Sequence, residues 1–264
     1  MTRWNRFRPR YSIDSSTVKI FERQRQLRTP GTTPGDQMGV EIGYGPALVD
    51  DRLGEAQFYV GYEGPMVAVV GGLQLRLLRL NGLEPHDRVL EIGCGALVAG
   101  KPLLRFLQAG RYVGVEPNVW LLEAAVSGDP EIRRLVREKR PLFLFVEDFD
   151  ASAAGRFDYV LSHSVLSHAA EWQLPLFMAA VANVLEPDGV AVVSIRFSDE
   201  GGNLTGDSHH SEWVYPWTSS YRPETAAAAA AEAGLECEWV REYRDLVVAE
   251  APSNFHDWIR LRLR

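Results

Sequence analysis

Residues 89–100 read VLEIGCGALVAG, a short apolar run followed directly by Gly93 and Gly95. Gly93 allows a tight turn after a strand, and Gly95 lets a ligand approach the backbone where a Cβ would otherwise stand. The dinucleotide-binding pattern has its third glycine at position 98, where this chain has Val98. The stretch therefore predicts a strand and a cofactor-binding turn, and it disfavours an NAD-dependent dehydrogenase.

Apolar runs on both sides of this turn predict an alternation of strands and helices, separated by Gly, Asn and Pro. The predicted strands are 88–92, 111–116, 141–148, 157–163, 189–197, 235–243 and 255–263. The predicted helices are 65–83, 101–110, 119–127, 131–139, 171–185 and 223–234. This order is typical of an α/β fold with a Rossmann-like, doubly wound, mostly parallel seven-stranded sheet, which binds ligands beyond the carboxyl ends of its strands.

The composition excludes several classes of protein. The chain has 264 residues, a net charge of −7 and only two cysteines, Cys94 and Cys237. Two cysteines cannot build a disulfide framework and fit a reducing compartment, and no run of about 18 apolar residues predicts a membrane-spanning helix. Its acidic body is unsuited to binding nucleic acid, which requires a positive face. We expect a cytoplasmic protein with no membrane or nucleic-acid partner, and we leave open a homodimer.

Acidic and aromatic residues accompany the glycine turn. Glu91 lies two residues before Gly93, Glu116 ends the second predicted strand, and Asp148 and Phe149 end the third. An acid at the end of the second strand can accept two hydrogen bonds from a ribose diol. Over roughly residues 60–250 this set resembles the class I S-adenosylmethionine (SAM) methyltransferases.

Longer segments carry the same resemblance. The first motif of the family reads D/E-x-G-x-G-x-G, and Leu97 stands here at its third glycine. The segments GCGALVAG (93–100), GRYVGVE (110–116) and FDYVLSHSVLSHA (157–169) resemble a branch of the family that reads GCGSLRGG, GRYxGVD and roughly FDYxxxxSVFTHL. The motifs are specific for SAM and say little about the acceptor.

The resemblance implies how the chain would bind its cofactor. Glu116 would hold the ribose hydroxyls, Asp148 would accept from the adenine amino group, and Glu91 would reach the cationic end of SAM. Glu147 is an alternative to Asp148, and each carboxylate could instead be a solvated strand end. The implied cofactor-binding residues are Tyr62, Glu91, Gly93, Gly95, Glu116, Pro117, Asp148, Phe149 and Ser162.

Histidines are the candidate catalytic groups, because methylation of a hydroxyl commonly needs a base and imidazole titrates near neutral pH. His163 and His168 follow the fourth predicted strand, and His209 lies in the loop after the fifth. We expect His168 or His209 to be the base, with His163 as a further candidate that could instead shape the methionine pocket. A metal site formed by Asp207, His209 and His210 is the less favoured alternative, so we expect no metal.

The N-terminal region differs from the rest of the chain. Residues 1–60 are rich in Gly and Pro and predict an irregular extension, leaving 61–264 as the methyltransferase domain. Residues 1–30 carry eight basic and two acidic side chains, a balance of +6. Two interpretations stay open: a lid with Tyr59 or Tyr62 near the methionine end of SAM, or a disordered tail through about residue 35.

These observations predict a SAM-dependent methyltransferase with a small-molecule acceptor. The favoured reaction is O-methylation of a sugar or secondary metabolite in natural product biosynthesis. Trp213, Tyr215, Trp217 and Tyr221 could line an apolar acceptor pocket or cover the edge of the sheet. N-methylation and a SAM-binding protein without methyl transfer are the alternatives.

Overall fold

The computed structural model describes residues 49–61, 64–198, 202–203, 218–251 and 256–264. The strands are β1 Val89–Ile92, β2 Tyr112–Val115, β3 Leu142–Leu144, β4 Phe157–Ser162, β5 Leu185–Ile195, β6 Gly202–Asn203, β7 Ser219–Ser220, β8 Leu235–Trp239 and β9 Asp257–Leu263. The helices are α1 Val49–Tyr59, α2 Pro65–Leu80, α3 Gly100–Phe106, α4 Val119–Gly128, α5 Pro130–Lys139, α6 Gln173–Val184, α7 Pro223–Glu232 and α8 Arg241–Glu250.

Seven of the strands form one sheet in the order β3-β2-β1-β4-β5-β9-β8, and β6 and β7 form a small separate pair. β1 to β5 pair in parallel, whereas β9 runs antiparallel to both β5 and β8. The chain order reverses direction at β1, which lies between β2 and β4. The predicted Rossmann-like, mostly parallel, seven-stranded fold is confirmed, and its ligand crevice is expected beyond the carboxyl ends of β1, β2 and β4.

Apolar side chains cover both faces of the sheet, as a parallel sheet requires. One face packs against α1 to α5 and α8, and the other packs against α6 and α7. All four residues of β1 and of β2 are buried. Because the central strands are held from both sides, the loops at their carboxyl ends project from a rigid base.

Two helices were absent from the sequence prediction. α1 lies in the extension predicted to be irregular; Ala56 is fully buried, and the Tyr59 ring packs edge-on against Trp120 of α4 with centroids 5.3 Å apart. α8 begins within the predicted strand 235–243 and continues over residues to which we assigned no element. It buries Tyr243 and Val247, which are four residues apart and share one helical face.

The other predicted elements are present, with ends displaced by at most four residues. The largest contraction is at the third strand, predicted as 141–148 and observed as Leu142–Leu144. It is an edge strand that pairs only with β2, over three residues. The apolar residues that follow Leu144 therefore pair with no neighbouring strand.

Leu97 occupies the third glycine position of the motif and keeps the backbone conformation of a glycine. Its φ is 59°, in the left-handed region, and the residue is 1% exposed. The buried side chain compensates for a backbone conformation that costs a non-glycine residue about 1–2 kcal/mol.

We predict that Leu97→Gly destabilises the protein by about 1–4 kcal/mol. Relief of the left-handed backbone, less the greater freedom of glycine in the unfolded chain, returns roughly 0.5–1 kcal/mol, whereas removing a buried leucine side chain costs about 2–5 kcal/mol. Urea unfolding of the wild type and the variant measures the difference.

Arg140→Gly is the matched control, because Arg140 also has a left-handed backbone, with φ 50°, but is exposed at the end of α5. It should stabilise the protein by roughly 0.5–1 kcal/mol, since only the backbone term changes. A stabilised Leu97→Gly variant would contradict the importance of the buried side chain.

Candidate active site

The glycine turn lies at the carboxyl end of β1. Gly93 has φ 78° and Gly95 has φ 50°, so both use the left-handed region that favours glycine. The backbone N–H groups of Gly93 and Cys94 donate to the carbonyl oxygen of Val115 at 2.8 and 3.0 Å. The turn is thereby fastened to the end of β2, where Glu116 follows.

Side chains of the chain itself fill the space that the two glycines leave. A Cβ on Gly93 would stand 2.3 Å from Cγ2 of Val165, and a Cβ on Gly95 would stand 3.0 Å from Cγ1 of Val60. We expected Gly95 to leave room for a ligand, but the side chain there comes from the segment after α1. The segment after β4 and the segment after α1 are therefore both packed onto the turn.

The carboxylate of Glu116 contacts the glycine turn directly. Its Oε2 accepts from the N–H of Gly95 at 3.0 Å, and its Oε1 accepts from the N–H and Nδ2 of Asn118 at 2.8 and 2.9 Å. Burial raises the pKa of Glu116, and these hydrogen bonds oppose that rise. A carboxylate has about four acceptor sites, so Glu116 can accept a ribose hydroxyl while keeping all three contacts. The remaining acceptor site of the carboxylate fits a hydroxyl at the ribose end of SAM.

Glu91 lies in β1, two residues before Gly93. Its Oε2 accepts from the hydroxyl of Tyr112 at 2.5 Å, and only 4% of the residue is exposed. Desolvation raises its pKa to about 8, with a further rise from the charge of Glu116 and an opposing effect of the Tyr112 hydrogen bond. Cys94 is also buried beside this pair, and desolvation raises its thiol pKa well above its usual value. A buried thiol of this kind is suited to packing rather than to nucleophilic chemistry.

The raised pKa of Glu91 predicts that the protein loses stability between about pH 4.5 and pH 8. In this window the folded state keeps the proton that the unfolded state has lost, and each pH unit costs at most about 1.4 kcal/mol. Glu91→Gln should flatten this slope, measured by urea unfolding at about pH 5.5 and about pH 7.5.

Glu236→Gln, on the exposed side of β8, is the control and should leave the slope unchanged. A wild-type slope that survives in Glu91→Gln would assign it to another group.

The residues predicted to contact adenine lie around the end of β3. Asp148 is exposed, and its Oδ1 accepts from the N–H of Asp150 at 3.2 Å. Phe149 has φ 65°, is 7% exposed and packs edge-on against Phe177 of α6, with centroids 5.4 Å apart. Pro117 is exposed directly after Glu116. Asp148 and Pro117 are thus open to a ligand, whereas most of the Phe149 ring packs in the core.

Ser162 is the last residue of β4 and His163 follows it, and their environments differ. Ser162 is fully buried, and its hydroxyl donates to the carbonyl oxygen of Ile92 at 3.0 Å. This contact joins β4 to the base of the glycine turn. The His163 ring stacks on Trp258 of β9, with centroids 5.4 Å and planes 15° apart. His163 is partly exposed at the carboxyl edge.

His168 lies in the same partly exposed segment, with its Nε2 3.2 Å from Oγ of Ser164. A third imidazole, that of His256, lies 4.9 Å from the His163 ring between centroids. His256 was not among the predicted site residues, because it lay within the predicted strand 255–263, whose direction in the sheet the sequence does not give. β9 is antiparallel to β5, so its start lies at the edge where the parallel strands end.

Other predicted residues lie outside the described part of the chain. These are Tyr62, His209, Asp207, His210, Trp213, Tyr215 and Trp217. Tyr221 is described and is 4% exposed; its hydroxyl lies 3.1 and 3.0 Å from the carbonyl oxygens of Leu166 and Ala169. It therefore anchors the segment after β4 rather than lining an open pocket.

Two further searches cover only the described ranges. Among those residues, no three His, Cys, Asp or Glu side chains are placed to hold a metal ion. No helix within the same ranges is both long and apolar enough to cross a membrane.

Comparison with protein families shows which family the chain belongs to. Residues 71–239 match the family described as a methyltransferase domain. The chain belongs to this family. The resemblance of the sequence to the class I SAM-dependent methyltransferases is confirmed, and SAM is the cofactor that this methyltransferase family assignment implies.

Known relatives of this methyltransferase are distant. A ubiquinone biosynthesis O-methyltransferase of Azorhizobium caulinodans is 33% identical over 124 residues, which are 47% of this chain and 44% of that protein. The chain thus spans less than half the length of that relative.

Solved structures show the same fold. The magnesium protoporphyrin IX methyltransferase of Synechocystis with bound S-adenosylhomocysteine (SAH) has a TM-score of 0.52 and 14% identity, covering 94% of this chain and 95% of that chain. The glycopeptide N-methyltransferase MtfA complexed with SAM has a TM-score of 0.53 and 14% identity, covering 74% of this chain and 94% of that chain.

Proposed function

We propose that this methyltransferase transfers the methyl group of SAM to a hydroxyl group of a small molecule. The observation that carries the proposal is the set of imidazoles at the carboxyl edge, beside the glycine turn. His163, His168 and His256 lie there together. Imidazole is suited to remove a hydroxyl proton near neutral pH, and an amine acceptor has no comparable need of a base.

The cofactor would lie along the turn with its ribose at Glu116. Asp148 is an exposed acceptor for the adenine amino group, and Pro117 is exposed beside it. Val165 packs on Gly93, which brings the segment after β4 to the methionine side of the turn. The cofactor and the imidazoles then share one edge, as an in-line transfer requires.

The protein supplies alignment and a base for the reaction. When bound, SAM supplies an activated methyl group whose transfer breaks a carbon–sulfur bond and leaves the electron pair on sulfur. The acceptor oxygen forms the new bond to carbon, and its proton goes to a ring nitrogen of His168. His168 is partly exposed, so the proton can leave to solvent after the product departs.

A sugar or a secondary metabolite with a free hydroxyl is our favoured acceptor, and the relative named a ubiquinone biosynthesis O-methyltransferase supports transfer to oxygen. N-methylation is the second candidate, since a structural neighbour is named an N-methyltransferase. A panel of sugar, phenol and amine acceptors separates the two by the formation of SAH.

Glu116→Ala should weaken the binding of both SAM and SAH by roughly 10- to 100-fold, because a hydrogen bond to a charged group contributes about 1.5–3 kcal/mol. Titration calorimetry of the purified chain measures both constants. Asp150→Ala removes an exposed carboxylate whose Oδ1 accepts from the N–H of Ser152 and should retain wild-type affinity. Wild-type protein that binds NAD and not SAM would overturn the cofactor assignment.

His168→Ala should lower turnover of a hydroxyl acceptor by about 10²–10⁴-fold while SAH affinity is retained, since only the base is removed. His86→Ala, an exposed histidine near the opposite edge, is the matched control and should be fully active. Full activity of His168→Ala on a hydroxyl acceptor would exclude this residue as the base.

A further inference from the structure

A line of hydrogen-bonding groups connects two of the imidazoles. Nε2 of His168 lies 3.2 Å from Oγ of Ser164, which lies 3.3 Å from Oγ of Ser167. Oγ of Ser167 lies 3.3 Å from Nε2 of His256. The two hydroxyls therefore bridge the segment after β4 to the residue that precedes β9.

The bridge is held rigidly by the surrounding structure. Ser167 is fully buried, and its carbonyl oxygen accepts from the N–H of Ser219 at 2.6 Å. The N–H of Ser164 donates to Oγ of Ser194 on β5 at 2.7 Å. Ser164 has φ 59°, a left-handed conformation that a non-glycine residue keeps only when its surroundings impose it, and such strain concentrates at functional sites.

The number of protons in this line restricts the two imidazoles. Each serine hydroxyl has one proton to donate. The line from His168 through Ser164 and Ser167 to His256 has three contacts. All three can be hydrogen bonds only if every group in the line donates toward the same end. One end nitrogen must then carry a proton and the other must be bare. The two histidines must hold opposite tautomers.

We propose that His256 is a positioning residue for the methyl transfer, an inference that rests on the proposed role of His168. In this arrangement Nε2–H of His168 donates to Ser164, Ser164 donates to Ser167, and Ser167 donates to the bare Nε2 of His256. In this tautomer Nδ1 of His168 carries no proton. It takes the proton of the acceptor hydroxyl, while Nε2–H remains bonded to Ser164 and the line stabilises the imidazolium.

Charges around His256 favour its role as the accepting end. His163 and His168 approach it from the segment after β4, and Arg196 approaches it from the end of β5. Asp257, the next residue, is engaged by Arg244 of α8 at 2.9 Å and by the N–H of Phe197 at 3.0 Å. Burial and the neighbouring positive groups lower the pKa of His256 well below its usual value. This environment disfavours the doubly protonated ring, so one nitrogen of His256 stays without a proton, as the accepting end requires.

Nitrogen-15 NMR of the full, uniformly labelled chain without ligand tests the arrangement directly, because protonated and bare ring nitrogens resonate in separate ranges. At a pH where both rings are neutral, we expect His256 to be protonated at Nδ1 and His168 at Nε2. Free neutral histidine favours Nε2–H, so the pattern at His256 is the informative one. Protonation of His256 at Nε2, or of His168 at Nδ1, overturns the proposal.

Variants of Ser167 identify the cause of the pattern. Ser167→Ala should return His256 to the Nε2–H form, whereas Ser167→Thr keeps a hydroxyl and should preserve Nδ1–H. Ser127→Ala, in α4, makes the same substitution away from the bridge and should also preserve it. An unchanged His256 in a folded Ser167→Ala variant overturns the proposal; if that variant does not fold, the wild-type tautomers decide. Calorimetry with SAH on the same samples keeps the two ideas separate, because absent SAH binding contradicts the proposed function and not the tautomers.

Discussion

A left-handed backbone at three alternate positions, Gly93, Gly95 and Leu97, is the constraint on which the site depends. It turns the chain sharply away from the sheet after β1, and the N–H groups of Gly93 and Cys94 then meet the carbonyl oxygen of Val115. The same turn presents the N–H of Gly95 to Glu116. A regular continuation of β1 would separate these groups, so the position of the Glu116 carboxylate follows from the backbone conformation of the turn.

Buried acidic groups make this edge electrostatically unusual. Glu91 and Glu116 are both nearly inaccessible, and burial raises the pKa of each. Taking a carboxylate out of water is unfavourable unless it finds donors or a cation. Glu116 has three N–H donors, whereas Glu91 has the Tyr112 hydroxyl. A positively charged ligand nearby would favour the ionised form of Glu91, and the edge therefore suits a cationic cofactor better than an anionic one.

The sequence predicted the parts of the site that follow from local pattern. Glu116 could be placed because consecutive parallel strands end at one edge, and Gly93 because its turn directly follows an apolar run. His256 required knowledge of a non-local pairing, since its place at this edge depends on β9 running against β5. The inward packing of Phe149 on Phe177 depends on α6, which lies far along the chain. Long-range contacts of this kind leave no periodic signal in the sequence.

The packing of Val60 on Gly95 connects the first described helix to the cofactor turn. α1 also packs on the helix that follows Glu116, through the ring of Tyr59 against Trp120. A ligand that displaces the turn must therefore also displace Val60, and anything that holds α1 in place also holds the turn. By thermodynamic reciprocity, a ligand bound at the glycine turn and the placement of α1 would share one coupling free energy, whatever its sign. A substitution in α1 that moves Val60 would then alter ligand affinity at the turn without touching the ligand.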